Sequence, residues 1–191
     1  MFRKILIANR GEIAVRIIRA CRELGVVAVS VYSEIDRDAL HVQLADEAYE
    51  IGHAHPRETY MDLGKIIQTA LACGAEAIHP GYGFLSENPD FPKACEKESL
   101  VFIGPTAESI EVMRDKPLAR KTVESAGVEV TPGGYCPMDI NAFKEFSSKL
   151  GYPVVLKAAF GGAGRGMRIV DTPEKFIQAF ESARAEAKAV F

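Results

Sequence analysis

The sequence has few cysteines, no long apolar run and no excess of basic residues. Its four cysteines form no C-x-x-C pair, so neither a disulfide framework nor a zinc site is expected, and reduced thiols fit better. The formal net charge is -3 and the lysines and arginines are scattered, which argues against nucleic acid as a partner. The apolar runs are too short for a signal peptide or a membrane span, so we expect a cytoplasmic protein without membrane contact.

The first part of the chain alternates between strand-like and helix-like patterns. Residues 4–8 and 26–32 are short apolar runs, and between them apolar residues recur at helical spacing at Ile13, Ile17, Cys21 and Leu24. This rhythm predicts an α/β fold in which residues 1–113 form a doubly wound parallel sheet. Ligands of such sheets bind beyond the carboxyl ends of the strands, where the turns at residues 9–11 and 79–83 are expected.

The second part follows a different pattern. Residues 114–130 are predicted as a linking helix that Asp115 caps, with Leu118, Val123 and Ala126 turned inward. A break at residues 131–134 then precedes a predicted subdomain over residues 131–191. Its last helix reaches Phe191 without a stop signal, which indicates that the chain is part of a longer protein.

A glycine-rich run between two predicted strands is the most distinctive chemical feature. A P-loop or a dinucleotide fingerprint would run into a helix, so the following strand excludes both. The run by itself equally favours a hairpin whose N–H groups cover phosphate oxygens and a mobile hairpin without a ligand. Its residues are Gly161, Gly162, Ala163, Gly164, Arg165 and Gly166.

Two lysines favour the phosphate interpretation. Lys157 ends the preceding strand and alternates with apolar residues, so burial of its ammonium on a central strand would require an anion such as a nucleotide phosphate. Lys116 lies near a helix start, where the helix dipole favours a negative ligand. For Lys116 alone, a solvated surface position is the more natural interpretation.

Residues 79–88 form a second unusual run. Pro80, Gly81 and Gly83 fix a tight path at a strand end, from which Tyr82, Ser86 and Glu87 could face a cleft. The alternative is a purely structural connection. His53 and His55 lie two residues apart without a supporting carboxylate cluster, so they do not predict a metal site.

These runs resemble the biotin carboxylase family, and the resemblance covers essentially the whole chain. Three further runs, at residues 32–34, 45–49 and 157–162, are more similar to pyruvate carboxylases than to acetyl-CoA carboxylases. The runs that carry the family resemblance are residues 9–14, 79–88, 102–105, 115–116 and 164–168.

The resemblance implies an N-terminal domain followed by an ATP-grasp fold whose small lid subdomain carries the glycine run. It implies that ATP phosphorylates bicarbonate to carboxyphosphate, which releases the carbon dioxide that biotin captures. Mg²⁺ or Mn²⁺ would bridge the phosphates, and biotin would be carried on another domain or subunit. In pyruvate carboxylases the carboxyl group then passes to pyruvate.

The resemblance also implies roles for individual residues. Lys116 and Lys157 match the family's two ATP-phosphate lysines, residues 161–166 match its lid loop, and Tyr82 matches a tyrosine of its biotin pocket. The helix that the family uses at its homodimer interface is matched by Arg16, Arg19 and Glu23.

The chain differs from the family at two positions and is shorter than its members. Ala163 and Arg114 each replace a glycine that is usual in the family. The family's metal-binding carboxylates, catalytic base and bicarbonate-binding arginine lie beyond position 191. We therefore expect no catalytic residue and no metal ligand within this chain, and no activity from it alone.

Three alternatives remain at this point. The chain could belong to the biotin carboxylase of an acetyl-CoA or propionyl-CoA carboxylase, or act only as a folding and dimerisation module. It could also belong to another ATP-grasp ligase, although such an enzyme has no need of the run at residues 79–88.

Overall fold

A computed structural model of the chain describes residues 1–135, 139–159 and 166–190. The chain divides into two compact units, Met1–Glu111 and Val112–Phe191. The first unit contains a five-stranded sheet and the second a two-stranded sheet. The fold class is therefore α/β, as the alternating pattern predicted.

All five strands of the first unit run parallel, in the order β3-β2-β1-β4-β5. The earliest strand lies at the centre, and the chain adds strands first on one side and then on the other. This order confirms the predicted doubly wound sheet. The strands are β1 (Lys4–Ile7), β2 (Val27–Tyr32), β3 (Glu47–Glu50), β4 (Ala77–His79) and β5 (Val101–Phe102).

Helices cover both faces of this sheet. On one face Ile5 and Ile7 of β1 pack with Ile17 and Ile18, and on the other face Leu6 belongs to a separate buried cluster. Successive residues of β1 thus enter opposite cores, because side chains alternate along a strand. The helices within the first unit are α1 (Gly11–Glu23), α2 (Leu40–Leu44), α3 (Leu63–Cys73) and α4 (Asp90–Lys97), and α5 (Ala107–Arg114) begins in the first unit and ends in the second.

The second unit contains helices α6 (Lys116–Ser125), α7 (Ile140–Leu150) and α8 (Phe176–Val190), and the antiparallel strands β6 (Val154–Lys157) and β7 (Met167–Val170). Its core is small: Leu156, Val170 and Phe176 are buried, and Phe143 packs edge-on against Phe176. Only one face of the β6–β7 hairpin is therefore covered by the described residues.

The predicted packing of α6 is wrong. Leu118 is 42 % exposed, Ala126 is also exposed, and Val123 is only half-buried, although all three were expected to face inward. Helical spacing places apolar residues on one face but does not determine what covers that face. The cap itself is as predicted, since Asp115 accepts a hydrogen bond from the Leu118 N–H at 3.1 Å.

Three of the four cysteines lie among the described residues. Cys21, Cys73 and Cys95 are free and buried, whereas Cys136 lies outside the described residues. None of the helices in the described part of the chain is both long and apolar enough to cross a membrane.

Candidate functional site

Asn9 joins the two turns that the sequence singled out at the carboxyl edge of the sheet. Its side chain is only 3 % exposed, and its Nδ2 donates to the carbonyls of Pro80 at 2.7 Å and Tyr82 at 2.8 Å. Its Oδ1 accepts from the N–H of Arg10 at 2.9 Å. The turn after β1 is therefore fastened to the turn after β4 by one buried amide.

The turn after β4 needs glycine where it approaches Asn9. Gly81 and Gly83 both have a φ of 65°, and Phe84 has a φ of 47°. A Cβ built on Gly81 would lie 2.8 Å from Asn9 Nδ2, closer than real Cβ contacts come. The path of this turn thus depends on both the left-handed backbone and the absence of a side chain at Gly81.

The Arg10 guanidinium contacts two aromatic rings and one carboxylate. Its guanidinium lies over the Tyr60 and Phe84 rings, 5.4 and 5.8 Å from their centroids, and the two rings stack on each other. It also pairs with Asp36 at 3.1 Å, and Asp36 accepts from the Tyr60 hydroxyl at 2.6 Å. These contacts fix the guanidinium above Phe84.

The electrostatics of this cluster follow from its burial and hydrogen bonds. Burial opposes the charge of Asp36, but hydrogen bonds from Tyr60, Ser33 and Arg10 outweigh it and lower the pKa of the carboxyl group. Burial and the Asp36 carboxylate together raise the pKa of Tyr60 to about 12. Sequence reasoning missed Asp36 and Tyr60, because neither belongs to a recognisable run.

Tyr82, predicted as part of a biotin pocket, lies on the exposed side of the same turn. Its side chain is 59 % exposed, and its hydroxyl donates to the carboxylate of Glu12 in the first turn of α1. This hydrogen bond raises the pKa of Tyr82. Of the two other candidates in the run, Ser86 is half-buried and Glu87 is exposed.

The three predicted interface residues lie together on α1. Arg16, Arg19 and Glu23 are exposed and line a groove of about 770 Å³ between α1 and α2. Glu12 and the buried His41 also line it. Burial lowers the pKa of His41, so its ring is neutral near pH 7, and the groove's charges are those of its arginines and glutamates.

In the second unit, Lys157 lies on the outward face of the hairpin. The expectation of a buried lysine on a central strand is wrong, because β6 pairs with β7 alone among the described strands and Lys157 is exposed. Its neighbours on that face are apolar: Val155 is 48 % exposed, Met167 39 % and Ile169 70 %. The register places Val155 opposite Ile169 and Lys157 opposite Met167. This apolar face beside a cation was not foreseen.

Lys116 and Gly166, the last residue of the glycine run, lie next to this hairpin. The backbone N–H and the ammonium of Lys116 each lie 3.4 Å from the carbonyl of Ala159, two residues beyond Lys157. Gly166 closes the far end of the run, where its carbonyl accepts from the Ala158 N–H at 3.2 Å. The remaining residues of the run, Gly161, Gly162, Ala163, Gly164 and Arg165, lie outside the described residues.

The described ranges contain no group of three or more His, Cys, Asp or Glu side chains that could hold a metal ion. His53 instead pairs with Glu34 at 2.9 Å, and His55 accepts from the Arg57 N–H.

Comparison with known proteins identifies families that match the sequence of this chain. Residues 1–110 match the family described as biotin carboxylase, N-terminal domain, and residues 115–191 match the ATP binding domain of the carbamoyl-phosphate synthase L chain. The chain is 47 % identical to biotin carboxylase 1 of Bacillus subtilis, over all of the chain and 43 % of that protein. It is 48 % identical to a pyruvate carboxylase subunit of Methanothermobacter thermautotrophicus, over all of the chain and 39 % of that protein.

A solved structure of a biotin carboxylase domain is also similar to this chain. The biotin carboxylase domain dimer of Hydrogenobacter thermophilus 2-oxoglutarate carboxylase, in complex with MgADP, ADP and bicarbonate, superposes with a TM-score of 0.91 at 47 % identity, over all of this chain and 42 % of that one. The chain thus spans about two fifths of the length of these relatives. Because the matched family model covers more than half of its residues, the chain belongs to the biotin carboxylase N-terminal domain family.

Proposed function

We propose that this chain supplies part of the ATP site of a biotin carboxylase, within a longer protein that carboxylates biotin at the expense of ATP and bicarbonate. The observation that carries the proposal is the outward hairpin face, where Lys157 lies among Val155, Met167 and Ile169. Apolar side chains beside a cation suit a purine base joined to a phosphate chain.

The two lysines would serve the phosphates. Lys157 is the last residue of β6, and Lys116 lies against Ala159, so both lie close to the residues that precede the glycine run in the sequence. Lysine ammonium groups are point charges that neutralise phosphate oxygens, and glycine N–H groups cover them closely. Residues 161–166 are proposed as the lid over the phosphates.

The proposed reaction assigns this chain binding rather than bond-breaking roles. ATP would phosphorylate bicarbonate, and the resulting carboxyphosphate would release carbon dioxide to a biotin carried on another domain or subunit. Tyr82 is proposed to contact that biotin. A bound Mg²⁺ or Mn²⁺ would offset the phosphate charge, and we assign it no ligand among the described residues.

The test is ATP turnover by the full-length protein. We expect hydrolysis only with bicarbonate, and a higher rate with biotin. Lys157→Met should raise the KM for ATP at least tenfold, whereas Lys149→Met, at an exposed lysine of α7, should leave it within about twofold. ATP turnover that does not need bicarbonate would contradict the proposal and favour another ATP-grasp ligase.

For the final acceptor we propose pyruvate. The support is the set of short runs at residues 32–34, 45–49 and 157–162, together with a relative that belongs to a pyruvate carboxylase. Relatives at similar identity act in 2-oxoglutarate and methylcrotonoyl-CoA carboxylases. Carboxylation assays with pyruvate, 2-oxoglutarate and acyl-CoA acceptors separate these outcomes, and transfer to 2-oxoglutarate or to an acyl-CoA without transfer to pyruvate would overturn the assignment.

We also propose a homodimer through the groove that Arg16, Arg19 and Glu23 line. Two arginines and two glutamates on its walls offer both signs of charge to a second copy. Sedimentation should show a dimer that Arg16→Glu weakens, and a strictly monomeric full-length protein would contradict this proposal. The cytoplasmic location and the boundaries 1–113, 114–130 and 131–191 stay predictions.

A further inference from the structure

The residues directly after β1 form a cradle for the turn after β4. Asn9 holds the carbonyls of Pro80 and Tyr82, and the Glu12 carboxylate accepts from the Tyr82 hydroxyl. The Arg10 guanidinium lies 5.8 Å from the Phe84 ring centroid. Three side chains within four residues therefore contact one turn, at Pro80, Tyr82 and Phe84.

Asn9 commits both of its amide N–H donors to this turn. Both N–H groups of its amide are used on the turn, and its oxygen accepts from Arg10. An aspartate there would face two carbonyl oxygens with a negative charge, and a leucine of similar size would leave both carbonyls without a donor. The amide is thus specific for holding this turn.

The consequence concerns Tyr82. Its backbone carbonyl is fixed from inside by Asn9 while its ring stands 59 % exposed, tied only by its hydroxyl to Glu12 among the described residues. The place of the ring relative to the sheet edge therefore depends on Asn9 through the backbone and on Glu12 through the hydroxyl.

We propose that Asn9 and Glu12 are positioning residues for biotin, acting through Tyr82; this rests on the proposed function, in which Tyr82 contacts biotin. Neither residue touches the reacting atoms in this proposal. They fix the backbone and ring of the group that does, so their loss should weaken biotin use and leave the ATP site unaffected.

The first test is kinetic and uses the full-length enzyme with free biotin. Asn9→Leu and Glu12→Ala should each raise the KM for biotin at least tenfold, with the KM for ATP and kcat within about twofold. Glu12→Gln, which keeps an acceptor for the Tyr82 hydroxyl, should restore the KM for biotin. Thr59→Val, which removes a partly buried side-chain hydrogen bond elsewhere in the same unit, is the control and should change none of these values.

The second test keeps the proposal open to refutation should Asn9→Leu lose activity through misfolding. Hydrogen exchange in the 191-residue chain should show residues 81–88 exchanging at least tenfold faster in Asn9→Leu, with β1 and β2 unchanged. A wild-type enzyme without biotin-stimulated turnover would defeat the proposed function itself. A wild-type enzyme with it, and variants that keep the KM for biotin or raise both KM values equally, would overturn the positioning role alone.

Discussion

Substitution of Gly81 by alanine tests whether the turn after β4 is built against Asn9. Gly81 has a φ of 65°, and its missing Cβ would lie 2.8 Å from Asn9 Nδ2 and 3.1 Å from Asn9 Cβ. Gly74, at the C-terminal end of α3, has a φ of 69° but nothing within 4 Å of its missing Cβ. The two glycines share a left-handed backbone and differ in the space around them.

The two substitutions should therefore lower the free energy of unfolding by different amounts. Gly74→Ala should cost about 1 kcal/mol in the free energy of unfolding, which is the strain of a left-handed alanine. Gly81→Ala adds a displacement of the Asn9 amide by about 0.6 Å, which disrupts its hydrogen bonds of 2.7 and 2.8 Å to Pro80 and Tyr82. At about 1 kcal/mol for each bond, the total rises to about 3 kcal/mol.

Urea unfolding followed by circular dichroism measures this difference. With a slope of about 2 kcal/mol/M, the midpoint of Gly81→Ala should lie about 1 M below that of Gly74→Ala. Both sites belong to the first unit, so both report on the same transition. In the Asn9→Ala background, which removes the amide but keeps the Cβ 3.1 Å away, Gly81→Ala should cost less than it does in the wild type. Equal midpoints for the two single variants would refute the reasoning.

Four further outcomes are expected. Asp62→Ala should destabilise the chain by about 1 kcal/mol in urea unfolding, since Asp62 caps α3 through the Lys65 N–H, and Asp62→Asn should cost less than half as much. Because the pKa of Asp36 is lowered on folding, its charge stabilises the fold above about pH 4; Asp36→Asn should therefore lower the urea midpoint at pH 7, and the gap to wild type should narrow by pH 3. Cys21, Cys73 and Cys95 should resist alkylation until urea unfolds the chain, as mass spectrometry would show, because burial raises the pKa of each thiol, for Cys95 to about 11. Calorimetry on the 191-residue chain should find ATP binding weaker than micromolar, since the hairpin offers apolar cover to only one side of a base.

The parallel sheet was predictable because its evidence is local. Apolar strands alternate with helices of clear period, and this alternation by itself requires parallel strands and helices on both faces. The turns at residues 9–11 and 79–83 were also recognisable from their glycines and proline. Their closeness followed from a rule about sheet edges, although the amide of Asn9 that joins them did not.

Contacts between distant segments were not predictable. Asp36 and Tyr60 surround Arg10 from two loops that carry no motif, and their roles depend on tertiary contacts across 24 residues of sequence. The exposure of Leu118 was missed for a related reason. Periodicity gives a helix an apolar face, whereas burial depends on a partner that periodicity does not describe.

Lys157 is a candidate phosphate ligand for a different reason in the structure than in the sequence. On the central strand that the sequence suggested, a lysine would be buried and would need an anion. The strand belongs instead to a hairpin with one open face, and there the lysine has no desolvation to offset. This face is a candidate nucleotide site because of the side chains beside Lys157. Three exposed apolar side chains, which water solvates poorly, surround one cation, which water solvates well. A ligand with an apolar ring and a phosphate chain can contact both the apolar side chains and the Lys157 ammonium, whereas an isolated phosphate can contact only the ammonium. Substitution of Met167 by alanine should therefore weaken binding of ATP to the full-length enzyme more than binding of inorganic triphosphate.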